Sequence, residues 1–409
     1  MTAAVAAIFF VVYAGMILGG LPFLQLDRTG VALLGAIAVV GFGALTPEQA
    51  ALSIHLPTLL LLFSFMVISA QMRLGGFYAR VTLRIASLPL APPRLLAAVM
   101  AAVAALSAVF SNDVVCLAVA PVLCAACVRR GLDPVPFLLG LACAANIGSA
   151  ATLIGNPRNM LIGEVLRMSF AGYLASAIVP VALGLAAAWA WIAWRQRGAW
   201  QSGAMAAVPE TERRTDETAL DRWQTAKGIA VAAILVAVFL FTSWPREVAA
   251  LIGAGVLMTS RRLHSNKMLG LVDWELLILF IGLFVVNHAF ARTGLSADAL
   301  RQLADSGFAL REPAPMFAAT FALSNMVSNV PAVMLLLPAA DQAWSGTLLA
   351  LVSTLAGNLL IVGSIANIIV VDCARRRGIF IDWKRHAATG VPVTLATLAI
   401  TAAWLAWTI

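Results

Sequence analysis

This sequence has few charged side chains: Asp, Glu, Lys and Arg together make up 11% of its 409 residues, whereas 62% are hydrophobic. Soluble globular domains carry about 25% charged residues, so a soluble domain is excluded. Repeated apolar runs of about 18 residues or more instead predict a polytopic α-helical membrane protein that lies in a lipid bilayer. In a soluble protein, the net charge of +8 would suggest a nucleic-acid partner. In a membrane protein, loop arginines set the orientation of the chain, so no nucleic-acid partner is predicted.

Cysteine and histidine are also rare, at five and four residues. All five cysteines lie in or at the edge of apolar segments, where we interpret them as small packing residues. The chain has no GxSxG motif and no pair of catalytic carboxylates. An intramembrane enzyme, the alternative from another functional class, therefore has no support in the sequence. The prediction is a protein that is not an enzyme and has no cofactor, unless Na+ is coupled to its function.

Apolar spans occupy most of the chain and fall on either side of one polar stretch. We place them at residues 3–20, 30–45, 57–73, 94–128, 135–165, 169–194, 225–243, 246–260, 273–291, 314–340, 345–371 and 387–408. The polar stretch "RQRGAWQSGAMAAVPETERRTDETALDR" is predicted to be part of a flexible linker over residues 195–224. This linker separates a first half, residues 1–194, from a second half, residues 225–409.

Two short polar motifs interrupt apolar spans at matching places in the two halves. Residues 110–121 are "FSNDVVCLAVAP" and residues 327–338 are "VSNVPAVMLLLP". Both contain Ser-Asn, and in both a proline follows the serine by ten positions, so the motifs align at an offset of 217 residues. Burying polar groups in an apolar span is costly, and doing so twice predicts a function.

Two Gly- and Asn-rich stretches follow the motifs and also align. They are "ANIGSAATLIGNPRN" at 145–159 and "AGNLLIVGSIAN" at 356–367, and Gly155 matches Gly363 at an offset of 208 residues. The loop between the two motifs is therefore nine residues shorter in the second half. An internal repeat with interrupted helices is typical of transporters, whose substrate sites lie near the bilayer midplane.

The charge distribution predicts how the two halves are oriented. If 94–130 and 314–340 are re-entrant hairpins, and 135–166 and 345–371 are broken helices, each half has five crossings. Five is an odd number, so the halves are inverted. With the N-terminus outside, 21 of the 27 Lys and Arg residues lie inside, as the positive-inside rule requires. The exceptions are Arg158, within a span, and five outside residues: Arg167, Arg246, Arg292, Arg301 and Arg311.

The predicted fold is thus an all-α polytopic membrane protein of two inverted repeats. Each repeat has five transmembrane helices, one of them broken, plus a re-entrant helical hairpin. The N- and C-termini are predicted to be extracytoplasmic and the central linker cytoplasmic, in a bacterial inner (cell) membrane.

A hairpin tip and a broken helix expose backbone groups that can bind ions. A helix that ends at the midplane presents carbonyl groups, which suit a cation, and a helix that begins there presents N–H groups, which suit an anion. Asn112 and Asn329 are predicted to be the N-caps of the outgoing hairpin helices, and Pro331 suits a first helical turn. Two tips and two breaks are therefore expected to meet and to form one substrate site with flanking ion sites.

The motifs "SND", "SNVP", "TLIGNPRN" and "VGSIAN" resemble the signature of the ion transporter superfamily, and the resemblance covers almost the whole chain. This superfamily includes divalent-anion/sodium symporters, citrate permeases, arsenite permeases and a class of Na+/H+ antiporters. The resemblance implies an elevator-type carrier of a small ion that often forms a homodimer. In the symporters each tip is Ser-Asn-Thr. Here Asp113 and Val330 stand in place of threonine, and the tips are more similar to the arsenite permease branch.

The resemblance also implies which residues bind substrate and ions. In the symporters the tips bind a carboxylate substrate, and the tip asparagine, a hydroxyl residue five positions earlier and a carbonyl of the broken helix bind sodium. The predicted substrate-binding residues are Ser111, Asn112, Asp113, Asn156, Arg158, Ser328, Asn329, Val330 and Ser364. The predicted ion-binding residues, which would hold Na+ if the protein is sodium-coupled, are Ser107, Asn112, Asn146, Gly155, Ser324, Asn329, Asn358 and Gly363.

Asp113 and Arg158 are charges at membrane depth, where charges are costly and mark function. Asp113 can carry a proton, bind a cation or pair with Arg158, and Arg158 can pair with Asp113 or bind an anion. We favour the pair, because Arg158 itself needs a partner at that depth. The predicted function is secondary transport of a small anion or oxyanion, carboxylate or inorganic, coupled to Na+ or H+. The alternative is a Na+/H+ antiporter in which Asp113 alternates between a proton and sodium.

Overall fold

The computed structural model describes residues 1–21, 24–201, 220–260 and 263–409. These residues are predominantly α-helical, with one short antiparallel ladder between β1, Gly20–Leu21, and β2, Leu26–Asp27. Seven helices within these ranges are long and apolar enough to cross a membrane. The prediction of an all-α polytopic membrane protein is confirmed. Part of the predicted linker, 202–219, lies outside the described residues, as does the pair of arginines at 261–262.

The helices follow the same order in both halves. The first half contains α1 Thr2–Leu18, α2 Arg28–Gly41, α3 Pro47–Ser53, α4 Leu56–Leu74, α5 Phe77–Ala86, α6 Pro92–Val109, α7 Asn112–Arg129, α8 Pro134–Ser149, α9 Pro157–Val165 and α10 Phe170–Arg195. The second half contains α11 Arg222–Phe241, α12 Arg246–Met258, α13 Ser265–Leu269, α14 Trp274–Arg292, α15 Leu295–Asp305, α16 Pro313–Met326, α17 Asn329–Leu336, α18 Ser345–Ala356, α19 Ile365–Arg375 and α20 Trp383–Thr408. Short 3-10 helices, Leu337–Ala339 and Ile361–Gly363, follow α17 and precede α19.

Four short helices, α3, α5, α13 and α15, were not predicted from the sequence. They have only 5 to 11 residues, so they contain no apolar run long enough to be recognised as a membrane span. In α5 and α15, polar and apolar residues alternate with the helical period, so each helix has one polar face. Each of these two helices directly precedes a hairpin, one in each half.

Each hairpin begins and ends on the same side of the molecule. At the base of the first hairpin, the Arg130 guanidinium that follows α7 donates to the carbonyl of Ala86, which precedes α6, at 2.7 Å. At the base of the second, Arg311 before α16 pairs with Asp341 after α17 at 2.9 Å. The chain therefore turns back at each Ser-Asn tip.

The helices pack in two groups. The first group is α1, α2, α4, α11, α12 and α14, joined chiefly through the pairs α2–α14 and α4–α12. The second group contains the hairpins, the broken helices, α10 and α20, with α6–α8, α16–α18 and α10–α20 as main contacts. By their order in the two halves, α2 corresponds to α12 and α4 corresponds to α14. The pair α2–α14 is therefore the counterpart of the pair α4–α12, as expected if a two-fold axis relates the halves.

Gly148 on α8 lies directly against the backbone of Ala104 on α6. A Cβ atom at Gly148 would lie 2.3 Å from the Ala104 Cα and 2.5 Å from its carbonyl oxygen. We expect Gly148→Ala to lower the free energy of unfolding by about 1–3 kcal/mol, because one helix must move away from the other. Thermal unfolding in detergent measures this. Gly255→Ala on α12, where a Cβ meets nothing within 4 Å, is the control, and an equal loss in both variants would contradict the packing explanation.

Candidate functional site

Both hairpin tips and both helix breaks meet at one cavity of about 60 Å³. Its walls are formed by Arg28, Asn112, Asp113, Asn156, Pro157, Arg158, Leu276, Ser328, Asn329, Val330, Val362, Gly363, Ser364, Ile365 and Ile368. Eight of the nine predicted substrate-binding residues are in this set, and Ser111 is not. A cavity of this size has room for a few water molecules or one small ion.

Four helices begin in the wall of this cavity. The first residues of α7, α9, α17 and α19 are Asn112, Pro157, Asn329 and Ile365, and all four line it. In α7, α17 and α19 no side-chain cap satisfies the first N–H groups. Helix N-termini carry partial positive charge and bind anions, so the backbone alone makes this cavity attractive to negative charge.

Asn112 and Asn329 are not N-caps, contrary to the prediction. Each is the first residue of its helix, and the N-cap positions belong to Ser111 and Ser328. The asparagine side chains reach sideways to the broken helices instead, and Asn329 Nδ2 donates to the Gly363 carbonyl at 2.9 Å. The side-chain oxygen of each asparagine, the atom that would cap a helix, accepts from no N–H group among the described residues. Ser328 has a φ of 77°, and strained non-glycine backbone of this kind concentrates at functional sites.

Asn146 on α8 joins the parts of the site. Its Oδ1 atom accepts from Asn112 Nδ2 at 3.2 Å and from Ser364 Oγ at 2.9 Å. Its Nδ2 atom donates to Asn358 Oδ1 and Asn367 Oδ1 at 2.9 and 3.2 Å. One fully buried amide, with both lone pairs and both N–H groups of its side chain engaged, therefore connects the first hairpin tip, the first broken helix and the second broken helix.

Two pairs of buried oxygens have no hydrogen-bond partner in the described part of the chain. They are Ser107 Oγ with Asn112 Oδ1 in the first half, and Ser324 Oγ with Asn329 Oδ1 in the second. The pairs correspond at the 217-residue offset, and buried polar atoms without a partner are uncommon in proteins. Hard cations prefer oxygen ligands, so the residues present fit a cation such as Na+ in each half.

The other predicted ion-binding residues are placed differently. Gly155 and Gly363 lie against the two tips, and the Gly155 carbonyl accepts the Asn112 N–H at 3.4 Å. Asn146 and Asn358 have their Oδ1 atoms engaged in hydrogen bonds with other side chains. The side-chain oxygens of those two asparagines are thus already engaged, whereas each tip asparagine and the serine five positions before it has an oxygen without a partner among the described residues.

Arg158 and Asp113 both line the cavity, yet no ion pair within 4.0 Å joins them. The direct pair that we favoured from the sequence is therefore not formed. Arg158 Nε instead donates to Thr354 Oγ1 at 3.0 Å, and Thr354 Oγ1 in turn donates to Asn159 Oδ1 at 3.2 Å. A hydroxyl from the second half thus orients the buried guanidinium, and both charges face the same small space.

Among the residues that were not predicted are two polar ones, Arg28 in the cavity wall and Thr354, which binds Arg158. Thr354 is the equivalent of Asn146 at the 208-residue offset, so alignment of the two halves could have predicted it as a site residue. Arg28 lies just before the second apolar span, where an arginine is expected only to set the orientation of the chain in the membrane. Its Nε donates to the Met16 carbonyl at 3.2 Å, and the packing of α2 against α14 places it in the cavity wall.

Residues 8–347 match the family model described as citrate transporter. The chain belongs to the citrate transporter family. It is 27% identical to an uncharacterised transporter of Mycobacterium tuberculosis, over 93% of this chain and 94% of the relative. It is 29% identical to the silicon efflux transporter LSI3 of Oryza sativa subsp. japonica, over 93% of this chain and 92% of the relative. The putative transporter arsB of Dictyostelium discoideum is 23% identical, over 92% of this chain and 87% of the relative.

Solved transporter structures show a similar fold. The YdaH transporter of Alcanivorax borkumensis superposes with a TM-score of 0.56 at 14% identity, over 100% of this chain and 98% of that one. MtrF of Neisseria gonorrhoeae, from a class of antimetabolite efflux pumps, superposes with a TM-score of 0.54 at 12% identity, over 99% and 94%. The family match and the apolar helices show an integral membrane transporter and not an enzyme, and the solved structures agree with it in fold.

Proposed function

We propose that this citrate transporter family member is a secondary active transporter of a small anion or oxyanion. The observation that carries the proposal is the convergence of four helix N-termini and two arginines, Arg28 and Arg158, on one cavity. The described wall of that cavity contains one acid, Asp113. Positive charge therefore prevails in a poorly solvated space, where attraction to an anion is strong. Interrupted helices of other transporters hold anionic substrates at their N-termini in the same way.

The relatives favour an oxyanion or a carboxylate as the substrate. The family name refers to citrate, one relative is a silicon efflux transporter and another is the putative transporter arsB. A cavity of about 60 Å³ suits an inorganic oxyanion better than a tricarboxylate. Asp113 and Val330, which stand where the carboxylate symporters have threonine, agree with that choice.

Coupling to Na+ or H+ is proposed from two features beside the cavity. The unpartnered oxygens of Ser107, Asn112, Ser324 and Asn329 offer one cation position in each half. A cation bound there would add positive charge next to the anion, so each ion would favour binding of the other. In a proton-coupled cycle, Asp113 would carry the proton, because it is the acid in the described cavity wall.

An elevator-type movement is proposed from the two packing groups. The cavity is lined by the hairpins and broken helices of the second group, except for Arg28 and Leu276, which belong to α2 and α14 of the first. The substrate would move with the second group past the first. The resemblance and the charge distribution further support a homodimer in a bacterial inner membrane, with extracytoplasmic termini and a cytoplasmic linker.

A Na+/H+ antiporter is the second candidate. It is favoured by one observation: Asp113 is not paired with Arg158 and lines the same cavity as Asn112 and Asn329. In that cycle Asp113 would exchange a proton for Na+ without any anion. The two arginines in the wall oppose this candidate, because they repel a cation from the cavity.

Flux into proteoliposomes distinguishes the two candidates. We expect transport of at least one of phosphate, arsenate, arsenite, sulfate, silicate and citrate that responds to a Na+ or pH gradient. Arg158→Gln should lower that flux by about 30–150-fold, because it removes charged hydrogen bonds worth roughly 2–3 kcal/mol. Arg301→Gln is the matched control, since Arg301 is exposed and does not line the cavity. Na+/H+ exchange that needs no anion and is unchanged in Arg158→Gln would overturn the proposal.

A further inference from the structure

A second and larger cavity, of about 700 Å³, lies at the base of the first hairpin. It is formed by α5, the segment that follows α5 and the C-terminal end of α7. Four arginines line it, Arg80, Arg84, Arg129 and Arg130, and its described wall contains no acid. None of these residues lines the substrate cavity.

Arg130 is built into the wall of this cavity. Its guanidinium donates to the carbonyls of Ala86, Leu88 and Leu90 at 2.7, 3.0 and 3.0 Å. Carbonyl oxygens fix the position of the guanidinium but leave its full charge uncompensated. The guanidinium groups of the other three arginines have no hydrogen bond or ion pair to any part of the chain that the structure describes. Within the described ranges, no acidic side chain neutralises the positive charge that lines this cavity.

The second half provides an internal comparison. A cavity of about 520 Å³ lies at the base of the second hairpin, and Arg301 in its wall corresponds to Arg84 at the 217-residue offset. There, Arg301 is paired with Asp298, and Arg311 is paired with Asp341 at 2.9 Å. The arginines of the second cavity are thus paired with acids, whereas no described acid pairs with those of the first, so the fold does not require arginines without an acidic partner at this place.

We propose that the first cavity binds the phosphate headgroup of an anionic phospholipid. Guanidinium groups bind phosphate through paired, charge-assisted hydrogen bonds, and three of the four here have their donors available. The remaining wall is largely apolar and includes Leu83, Leu88 and Pro89. A lipid glycerol and acyl chain can cover such a surface, whereas a soluble phosphate gains nothing from it. Basic pockets between membrane helices are suited to anionic headgroups for this reason.

Native mass spectrometry of the purified full chain tests the proposal. The probes are phosphatidylglycerol, phosphatidylcholine and the soluble headgroup analogue sn-glycerol 3-phosphate. We expect wild-type protein to retain phosphatidylglycerol in preference to the other two. The double variant Arg84→Gln/Arg129→Gln should bind it roughly 30-fold more weakly, from about 5-fold per arginine near an anionic headgroup. The matched control, Arg301→Gln/Arg311→Gln, should retain it like the wild type.

The outcomes separate lipid binding from general surface charge. Equal retention of phosphatidylglycerol and phosphatidylcholine, or an equal loss in both double variants, would overturn the proposal. Binding of sn-glycerol 3-phosphate as tightly as the lipid would also overturn it, in favour of a site for soluble phosphate. If the double variant does not yield folded protein, the single variants Arg84→Gln and Arg129→Gln carry the test, each with an expected loss of about 5-fold.

Discussion

Alanine at Asn112 or at Asn329 is expected to abolish coupled transport while leaving the protein folded. Each side chain contributes a buried oxygen that has no hydrogen-bond partner among the described residues, and each lines the cavity at a hairpin tip. Removal of a residue that only hydrogen-bonds to a metal ligand lowers metal affinity by about 10–100-fold. Removal of a direct ligand should therefore lower Na+ affinity by at least about 100-fold. Sodium-dependent flux in proteoliposomes measures this effect.

The effect on stability should be small by comparison. Asn112→Ala removes one hydrogen bond to Asn146, which keeps Ser364 as a donor, so the cost is about 1 kcal/mol. Ser353→Ala is the matched control, because Ser353 Oγ is also buried and without a partner in the described ranges but does not line the cavity. Wild-type flux in both asparagine variants, or an equal loss in the serine control, would refute the assignment of the tips as the ion site.

Asp113→Asn is expected to flatten the dependence of flux on pH without lowering the melting temperature. Asparagine has nearly the same shape as aspartate, and the substitution removes the titratable acid from the cavity wall. Arg158 keeps its hydrogen bond to Thr354, so the guanidinium does not lose a direct partner. Flux between about pH 5 and 8, with thermal unfolding of the same variant, measures both quantities.

A direct pair between Asp113 and Arg158 would give a different result. Breaking a buried ion pair costs about 3–5 kcal/mol, so the melting temperature of Asp113→Asn would then fall by many degrees. Asp298→Asn is the control, because that substitution removes an exposed partner of Arg301, where an ion pair contributes at most about 1 kcal/mol. A large loss of stability at position 113 would show that the two charges pair in the membrane. An unchanged pH profile would remove Asp113 as the proton carrier.

The positions of the tips and breaks could be predicted because they are local features of an otherwise apolar chain. A Ser-Asn in the middle of an apolar span, or a run of Gly and Asn, interrupts a helix wherever the span lies. The repeat then strengthens the prediction of each tip, since Asn112 and Asn329 occupy equivalent positions in the two halves at the 217-residue offset. The roles of the individual polar atoms were harder to predict. Asparagine is a common N-cap residue. In Asn112 and Asn329, however, the side-chain Nδ2 atom donates a hydrogen bond to a broken helix that packs beside the tip.

By itself, the sequence determined the class of protein, the two related halves and the residues at the tips, since apolar length and polar interruption are properties of the chain alone. Only the tertiary structure decided how these pieces are connected. It placed Arg28 in the cavity wall through the packing of α2 against α14, and it gave Arg158 Nε a hydrogen bond to Thr354 from the other half. Contacts between residues almost two hundred positions apart depend on helix packing, which no local pattern specifies. The same packing separates Asp113 from Arg158, and so leaves both charges facing the space where we propose that the substrate binds.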